Sequence, residues 1–186
     1  MSENPRIAVV GSVNLDLVIR VARFPAPGET LTGAELSRFP GGKGGNQALA
    51  ARRLGAEVHM VACVGDDMAA DEALAQLKAE GVSLACCRRL AGVSTGLAMI
   101  LVDDSGQNQI VVAPGANAGF SPDFLELPEC DGVIAQLEIP MGTLVQAAER
   151  HGGFFCLNAA PARPLAPELL ARTDLLVVNE VEAETL

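Results

Sequence analysis

The stretch RFPGGKGGNQALAARRLGAE, residues 38–57, sets four glycines around Lys43 and then runs into an alanine-rich amphipathic segment. Glycines allow a backbone to approach a ligand closely, here at Gly41, Gly42, Gly44 and Gly45. Lys43 and Asn46 can donate hydrogen bonds from the start of the helix that follows. The loop is not a phosphate-binding Walker loop, because Gly44 follows Lys43 where Ser or Thr is required. From Gly42 it reads G-K-G-G-N-Q, which is not the dinucleotide fingerprint either. Taken alone, it is equally a tight turn whose glycines permit positive φ.

Other polar groups stand at the ends of apolar runs. Asn14 and Asp16 follow RIAVVGSV, Glu138 closes GVIAQLE, Asn158 follows GFFCL and Asn179 follows DLLVV. In an open parallel sheet the ligand crevice lies beyond the carboxyl ends of the strands. Carboxylates accept from hydroxyls, amides donate and accept, and Lys43 adds a charged donor, so the set describes a site for a neutral polyhydroxyl ligand. A helix cap or turn accounts for any one of these residues by itself; it does not account for all of them together.

The elements that must position them are legible as periodicity. Residues 6–14, 57–65, 132–138, 153–160 and 174–180 read as buried strands. Helices are expected at 45–54, stopped by Gly55, from Asp66 or Asp67 through Glu80, near 141–151 and near 166–171. Strands alternating with helices predict an α/β fold with a parallel sheet covered on both faces. Residues 16–24, 29–39, 95–104 and 107–115 break that alternation. The last two flank Ser105-Gly106, a hairpin signature, and these pieces (roughly 16–39 and 95–113) predict a separate small antiparallel sheet. No internal repeat or low-complexity segment is present.

Composition narrows the function. Of 186 residues, 49% are apolar and 19% charged, with no Trp or Tyr, and 13 Lys and Arg against 23 Asp and Glu leave a net charge of −10. Basic residues form no stripe and aromatics are scarce, which argues against nucleic acid as a partner. The five cysteines contain no CxxC pair; Cys63 and Cys156 lie in apolar runs and read as buried, reduced thiols. With His59 and His151 as the only histidines, a Cys/His zinc site is not expected. The N-terminus lacks the pattern of a secretory signal, and no apolar run is long enough to span a membrane. These features predict a soluble, cytoplasmic protein without membrane partners.

Seven stretches, GSVNLDLV, FPGGKGGNQA, STGLAMI, GANA, QLEIP, NAAPAR and NEVEAE, occur in the order seen in ribokinases of the PfkB-type carbohydrate kinase family. The resemblance runs from about residue 6 to residue 186. It implies a ribokinase-like parallel sheet flanked by helices, with a small antiparallel β lid formed by the segments near 16–39 and 95–113. It implies that Asn14, Asp16, Gly42, Lys43, Asn46 and Glu138 contact D-ribose, which would make the glycine loop a sugar loop. Asn179 and Glu182 match the family's N-x-x-E motif, Asn179 on the nucleotide side and Glu182 on the magnesium side. The implied activity is transfer of the γ-phosphoryl of ATP to the ribose 5-hydroxyl, with Mg2+ and a monovalent cation, K+, as cofactors and a homodimer closed through the lid.

The pattern is departed from at Ala159, where ribokinases commonly carry Pro. No GAGD-like motif occurs in the chain. By resemblance the anion hole, its catalytic Asp, most adenine contacts and the K+ site would lie beyond residue 186. Residues 1–186 therefore read as an incomplete ribokinase-like domain, truncated after NEVEAETL, with no catalytic residue of its own. A sugar-binding or lid-dimerisation module without catalysis is the alternative of a different class. A kinase of another pentose or of a nucleoside is a further one. Asp16 and Glu138 disfavour a phosphorylated sugar, and the lack of aromatics disfavours a nucleoside base; deoxyribose stays open.

Overall fold

β-Branched runs bounded by Gly or Asp form the main sheet. A computed structural model describes residues 4–186; residues 1–3, the start of the segment read above for a secretory signal, lie outside it. The strands are β1 (Arg6–Val10), β4 (Glu57–Gly65), β5 (Cys87–Leu90), β8 (Gly132–Gln136), β9 (Phe154–Asn158) and β10 (Leu175–Val177). They lie side by side in the order β10-β9-β8-β1-β4-β5, with every pairing parallel. β5 has no counterpart among the expected strands, because its CRRL sequence carries no apolar period.

Alternate residues of the strands feed two cores. Ala8, Val10, Val61 and Cys63 pack with Phe120, Phe155 and with Leu144, Ala147 and Leu169 of α3 (Met141–Arg150) and α4 (Pro167–Ala171). Val9, Val58, Met60 and Ala62 pack on the other face with Ala48, Ala73, Leu74 and Leu77 of α1 (Lys43–Arg53) and α2 (Met68–Ala79). A sheet apolar on both faces is what a parallel sheet covered by helices demands. Asp67 is the cap of α2, its side chain accepting from Ala70 N–H at 2.9 Å. A fifth helix, α5 (Glu180–Thr185), follows β10.

The remaining strands, β2 (Asn14–Arg20), β3 (Glu35–Gly41), β6 (Gly96–Val102) and β7 (Asn108–Ala113), make a second sheet in the order β3-β2-β6-β7. The separate small sheet is as expected, with one correction: it is mixed. Its outer pairs are antiparallel, but β2 and β6 run parallel, with Asn14 opposite Gly96. Both strands rise from the same edge of the main sheet, β2 after the carboxyl end of β1 and β6 after that of β5, so they share a direction. Residues 29–34 stay irregular, and the strand expected there begins only at Glu35. Gly106, at φ 82°, turns β6 into β7, while the Asp103 carboxylate accepts from Ser105 N–H and Gln107 N–H.

The cysteines are all free thiols. Burial pushes Cys63 up to about 12 and Cys87 up to about 11, so neither is a nucleophile at neutral pH. Cys156 is half-buried, where full burial was expected, because β10 beside it is a short edge strand.

Candidate functional site

The site forms where the sheet order reverses. β1 has β4 on one side and β8 on the other, so the chain leaves its carboxyl end into a crevice between diverging connections. Three segments meet there: residues 11–16 after β1, the loop 41–46 entering α1, and Leu137-Glu138 after β8.

Ser12 and Glu138 lock these segments together. Ser12 is fully buried, and its hydroxyl donates to Glu138 Oε2 at 2.5 Å and accepts from Gly44 N–H at 3.3 Å. Its carbonyl accepts from Gly45 N–H at 2.9 Å. Glu138 Oε2 also accepts the main-chain N–H of Lys43 at 3.0 Å, and Lys43 Nζ stands 3.8 Å from Glu138 Oε1. Sequence reasoning missed Ser12; the signal available was a hydroxyl two residues beyond the end of β1.

Three of the four glycines are required by protein contacts. A Cβ on Gly41 would lie 2.2 Å from an Asp16 carboxylate oxygen. One on Gly42 would lie 2.8 Å from Asn14 N, and one on Gly44 2.6 Å from Ser12 O. Gly42, the residue before α1, also has φ 84°, which side-chain-bearing residues rarely adopt. Gly45 alone of the four faces open space.

Asp16 is half-buried, and its carboxyl, resting against Gly41, has no hydrogen-bond partner among the described residues. Burial, and then the nearby Glu138 carboxylate, raise its pKa above the ordinary Asp value. Two carboxylates and an ammonium thus lie together, Glu138 standing between Asp16 and Lys43. Asn14 is 5% exposed and opens β2 beside this group. Asn46 sits on the first turn of α1 with an exposed side chain.

The other candidates lie elsewhere. Asn158 is committed to the protein: its Nδ2 donates to Val177 O at 3.2 Å, tying β9 to β10, and its Oδ1 faces Gln47 Nε2 at 3.5 Å. Gln47 in turn accepts from the buried Gln136 at 2.6 Å, a link no local sequence signal announces. Asn179 and Glu182 lie at the end of β10, two strands from β8. They form a capping box in which Asn179 Oδ1 accepts from Glu182 N–H and Glu182 Oε2 from Asn179 N–H, both at 2.8 Å.

A metal would find little else among the described residues, which contain no group of three or more His, Cys, Asp or Glu able to hold an ion. Mg2+ commonly keeps waters and phosphate oxygens around one or two carboxylates. Glu182 is 8% exposed and both its oxygens already accept from Asn179, Oε2 from N–H at 2.8 Å and Oε1 from Nδ2 at 3.2 Å, which leaves only their remaining lone pairs for such a shell. No helix among the described residues is long and apolar enough to cross a membrane.

Residues 4–186 match the model of the pfkB family carbohydrate kinases. A ribokinase from Schizosaccharomyces pombe is 40% identical, the match covering 97% of this chain and 61% of the relative. The crystal structure of ribokinase from Thermotoga maritima superposes with a TM-score of 0.90 at 36% identity, covering 97% of this chain and 61% of that one. The structure of Arabidopsis thaliana ribokinase complexed with ribose and ATP gives a TM-score of 0.85 at 29% identity, covering 99% of this chain and 63% of that one. The chain therefore spans less than two thirds of the length of these relatives.

Proposed function

The chain belongs to the pfkB family of carbohydrate kinases, and on that premise we propose that it supplies the sugar site and lid of a ribokinase. The reaction is transfer of the γ-phosphoryl of ATP to the 5-hydroxyl of D-ribose: the O5–phosphorus bond forms, the bond from phosphorus to the β–γ bridging oxygen breaks, ADP leaves, and the O5 proton is released. The relative solved with ribose and ATP supports this pair of substrates.

One observation carries the reading. Asp16, at the root of the small sheet, carries an unpartnered carboxylate close to Glu138, which pairs with Lys43 at the switch point of the parallel sheet. Asp16 accepts from sugar hydroxyls, Lys43 and Asn46 donate to them, and Asn14 lines the wall. Gly42 holds the loop against residues 12–14 so that these groups converge. Catalysis by positioning is the chain's share, and no residue of it is assigned as catalytic base.

Asn179 and Glu182 serve the nucleotide side. Mg2+, when bound with ATP, neutralises phosphate charge during transfer. Glu182 would face its water shell, and the capping box keeps that carboxylate and the Asn179 amide in fixed orientation. No residue of the chain is assigned to the monovalent cation, K+. Residues 1–186 make part of one ribokinase-like domain with the two lid segments inserted in it. The protein works in the cytoplasm, where ATP is available.

The lid carries a homodimer in this reading. Cross-strand register puts Phe39 and Val112 on the face that bears Asp16, with Ile110 one pair further along it. All three are exposed, and a second lid is the occupant that would cover them.

Titration calorimetry with D-ribose tests the site. Asp16→Ala and Lys43→Ala should each weaken binding by about 1.5–3 kcal/mol, the scale of hydrogen bonds to charged groups. Ribose affinity unchanged in both variants would overturn the assignment.

A further inference from the structure

The 3-10 turn Gly115–Asn117 lies outside the cleft residues named so far, yet its last side chain reaches the root of the lid. Asn117 is 2% exposed and uses its whole carboxamide. Its Oδ1 accepts from Val13 N–H at 3.0 Å; its Nδ2 donates to Val13 O at 3.1 Å and to Asn14 Oδ1 at 2.7 Å. The turn is itself anchored beside β6 by Ala116 N–H donating to Ser94 O at 2.8 Å.

Polarity here is dictated by backbone. A main-chain N–H can only donate and a carbonyl can only accept, so Val13 settles which end of the Asn117 amide is oxygen. The Nδ2 group left facing Asn14 then requires Oδ1 on that side of the Asn14 amide. The Asn14 Nδ2 group is therefore the end turned away, with no partner among the described residues and not sealed from solvent. Gly96, opposite Asn14, makes room for the pair: a Cβ there would lie 2.2 Å from both Asn117 Nδ2 and Asn14 Oδ1.

We propose that Asn117 is a positioning residue that fixes the Asn14 carboxamide with its N–H2 end toward the cleft, making Asn14 a hydrogen-bond donor to a sugar hydroxyl oxygen. This rests on the sugar-site reading above for the identity of the ligand, but not for the orientation of the amide.

The test titrates the purified chain with D-ribose and with analogues in which each ring hydroxyl in turn is replaced by hydrogen or by fluorine. Fluorine keeps an acceptor and removes the donor. At the hydroxyl that Asn14 touches, the fluoro sugar should bind roughly 2- to 10-fold tighter than the deoxy sugar, the worth of one hydrogen bond. Asn117→Asp keeps an acceptor for Val13 N–H but, when ionised, turns an oxygen instead of N–H2 to both Val13 O and Asn14. Asn14 then turns its N–H2 inward, and the fluoro-over-deoxy advantage disappears. Asn14→Asp should remove the same advantage while still accepting from Asn117, and it serves should Asn117→Asp fail to fold. A general structural defect lowers all affinities in parallel and leaves the ratio unchanged, so a ratio that survives in the folded variants overturns the proposal. No advantage at any position of a wild-type chain that binds ribose also overturns it.

Hydrogen exchange of the side-chain amide protons, read by NMR without ligand, gives a separate answer. Slow exchange at Asn117 with fast exchange at Asn14 supports the assigned orientation, and the reverse pattern overturns it. Should D-ribose not bind the wild-type chain, the sugar-site reading fails, and this exchange pattern still decides what Asn117 does.

Discussion

Glu138 holds Lys43 twice: Oε2 accepts its main-chain N–H at 3.0 Å, and Oε1 faces its Nζ at 3.8 Å. The same Oε2 takes the Ser12 hydroxyl at 2.5 Å, so one carboxylate joins the ends of β1 and β8 to the start of α1. The cation is aimed at the cleft by a loop whose backbone is already bound. Glu138→Gln separates these roles, because a glutamine oxygen can keep Ser12 and the Lys43 N–H while its amide confronts Nζ. The ion pair is partly exposed and screened, so folding stability should change by less than about 1 kcal/mol. Ribose affinity should fall roughly tenfold by calorimetry, and an unchanged affinity would remove Lys43 orientation from the site.

Asp16 should make both stability and binding depend on pH. Its folded pKa is raised, by burial first and Glu138 second, so the folded chain keeps the proton to higher pH than the unfolded chain. The stabilising increment is full below the ordinary Asp value of about 3.9 and is lost as pH rises through the raised value. Ribose binding runs the other way, since the ionised carboxylate is the better acceptor. Affinity measured by calorimetry should drop on acidification through that window, and Asp16→Asn should flatten both profiles. A wild-type binding profile that is flat there argues against Asp16 as the acceptor.

Neighbouring glycines should respond differently to alanine. At Gly41 the backbone φ is not positive, and the clash is with the Asp16 carboxylate. Gly41→Ala should leave the chain folded, displace Asp16 and weaken ribose binding. At Gly42, φ 84° and a contact of 2.8 Å with Asn14 N make the problem one of backbone. Gly42→Ala should cost at least about 1–2 kcal/mol of stability. Denaturant titration beside ribose titration separates the two, and equal stability losses would refute the distinction.

The lid interface is tested by charge. Ile110→Lys and Phe39→Asp place like or unlike charges on an exposed apolar face. Sedimentation of the parent chain should show a dimer, and each single variant should shift it to monomer. A monomeric parent at high concentration would mean that the lid face does not meet a second copy.

Phosphoryl transfer requires both substrates held in fixed relation, and this reading assigns the chain a sugar site without a base. The purified chain of 186 residues should show no ribose-dependent ADP release in a coupled assay with Mg-ATP. Turnover by mass-verified protein would show that catalytic groups lie within these residues.

Local pattern determined much of this molecule. The strand at Glu57–Gly65, the helix Met141–Arg150 and the turn at Gly106 are legible because period, caps and turn chemistry act over a few residues. Asp16 and Glu138, which the fold brings close together, could be named as candidates because polar groups at strand ends stand out against apolar runs. Tertiary structure decided what those groups face. The parallel pairing of β2 with β6 depends on where two distant strands leave the main sheet, and β5 is held by its neighbour β4 with no period of its own. Gly41, Gly42 and Gly44 serve protein contacts, Asn158 is tied to a neighbouring strand, and Ser12 joins Glu138 across 126 residues of chain. Hydrogen bonds between residues so far apart leave no periodicity to read, since only the folded backbone brings donor and acceptor together.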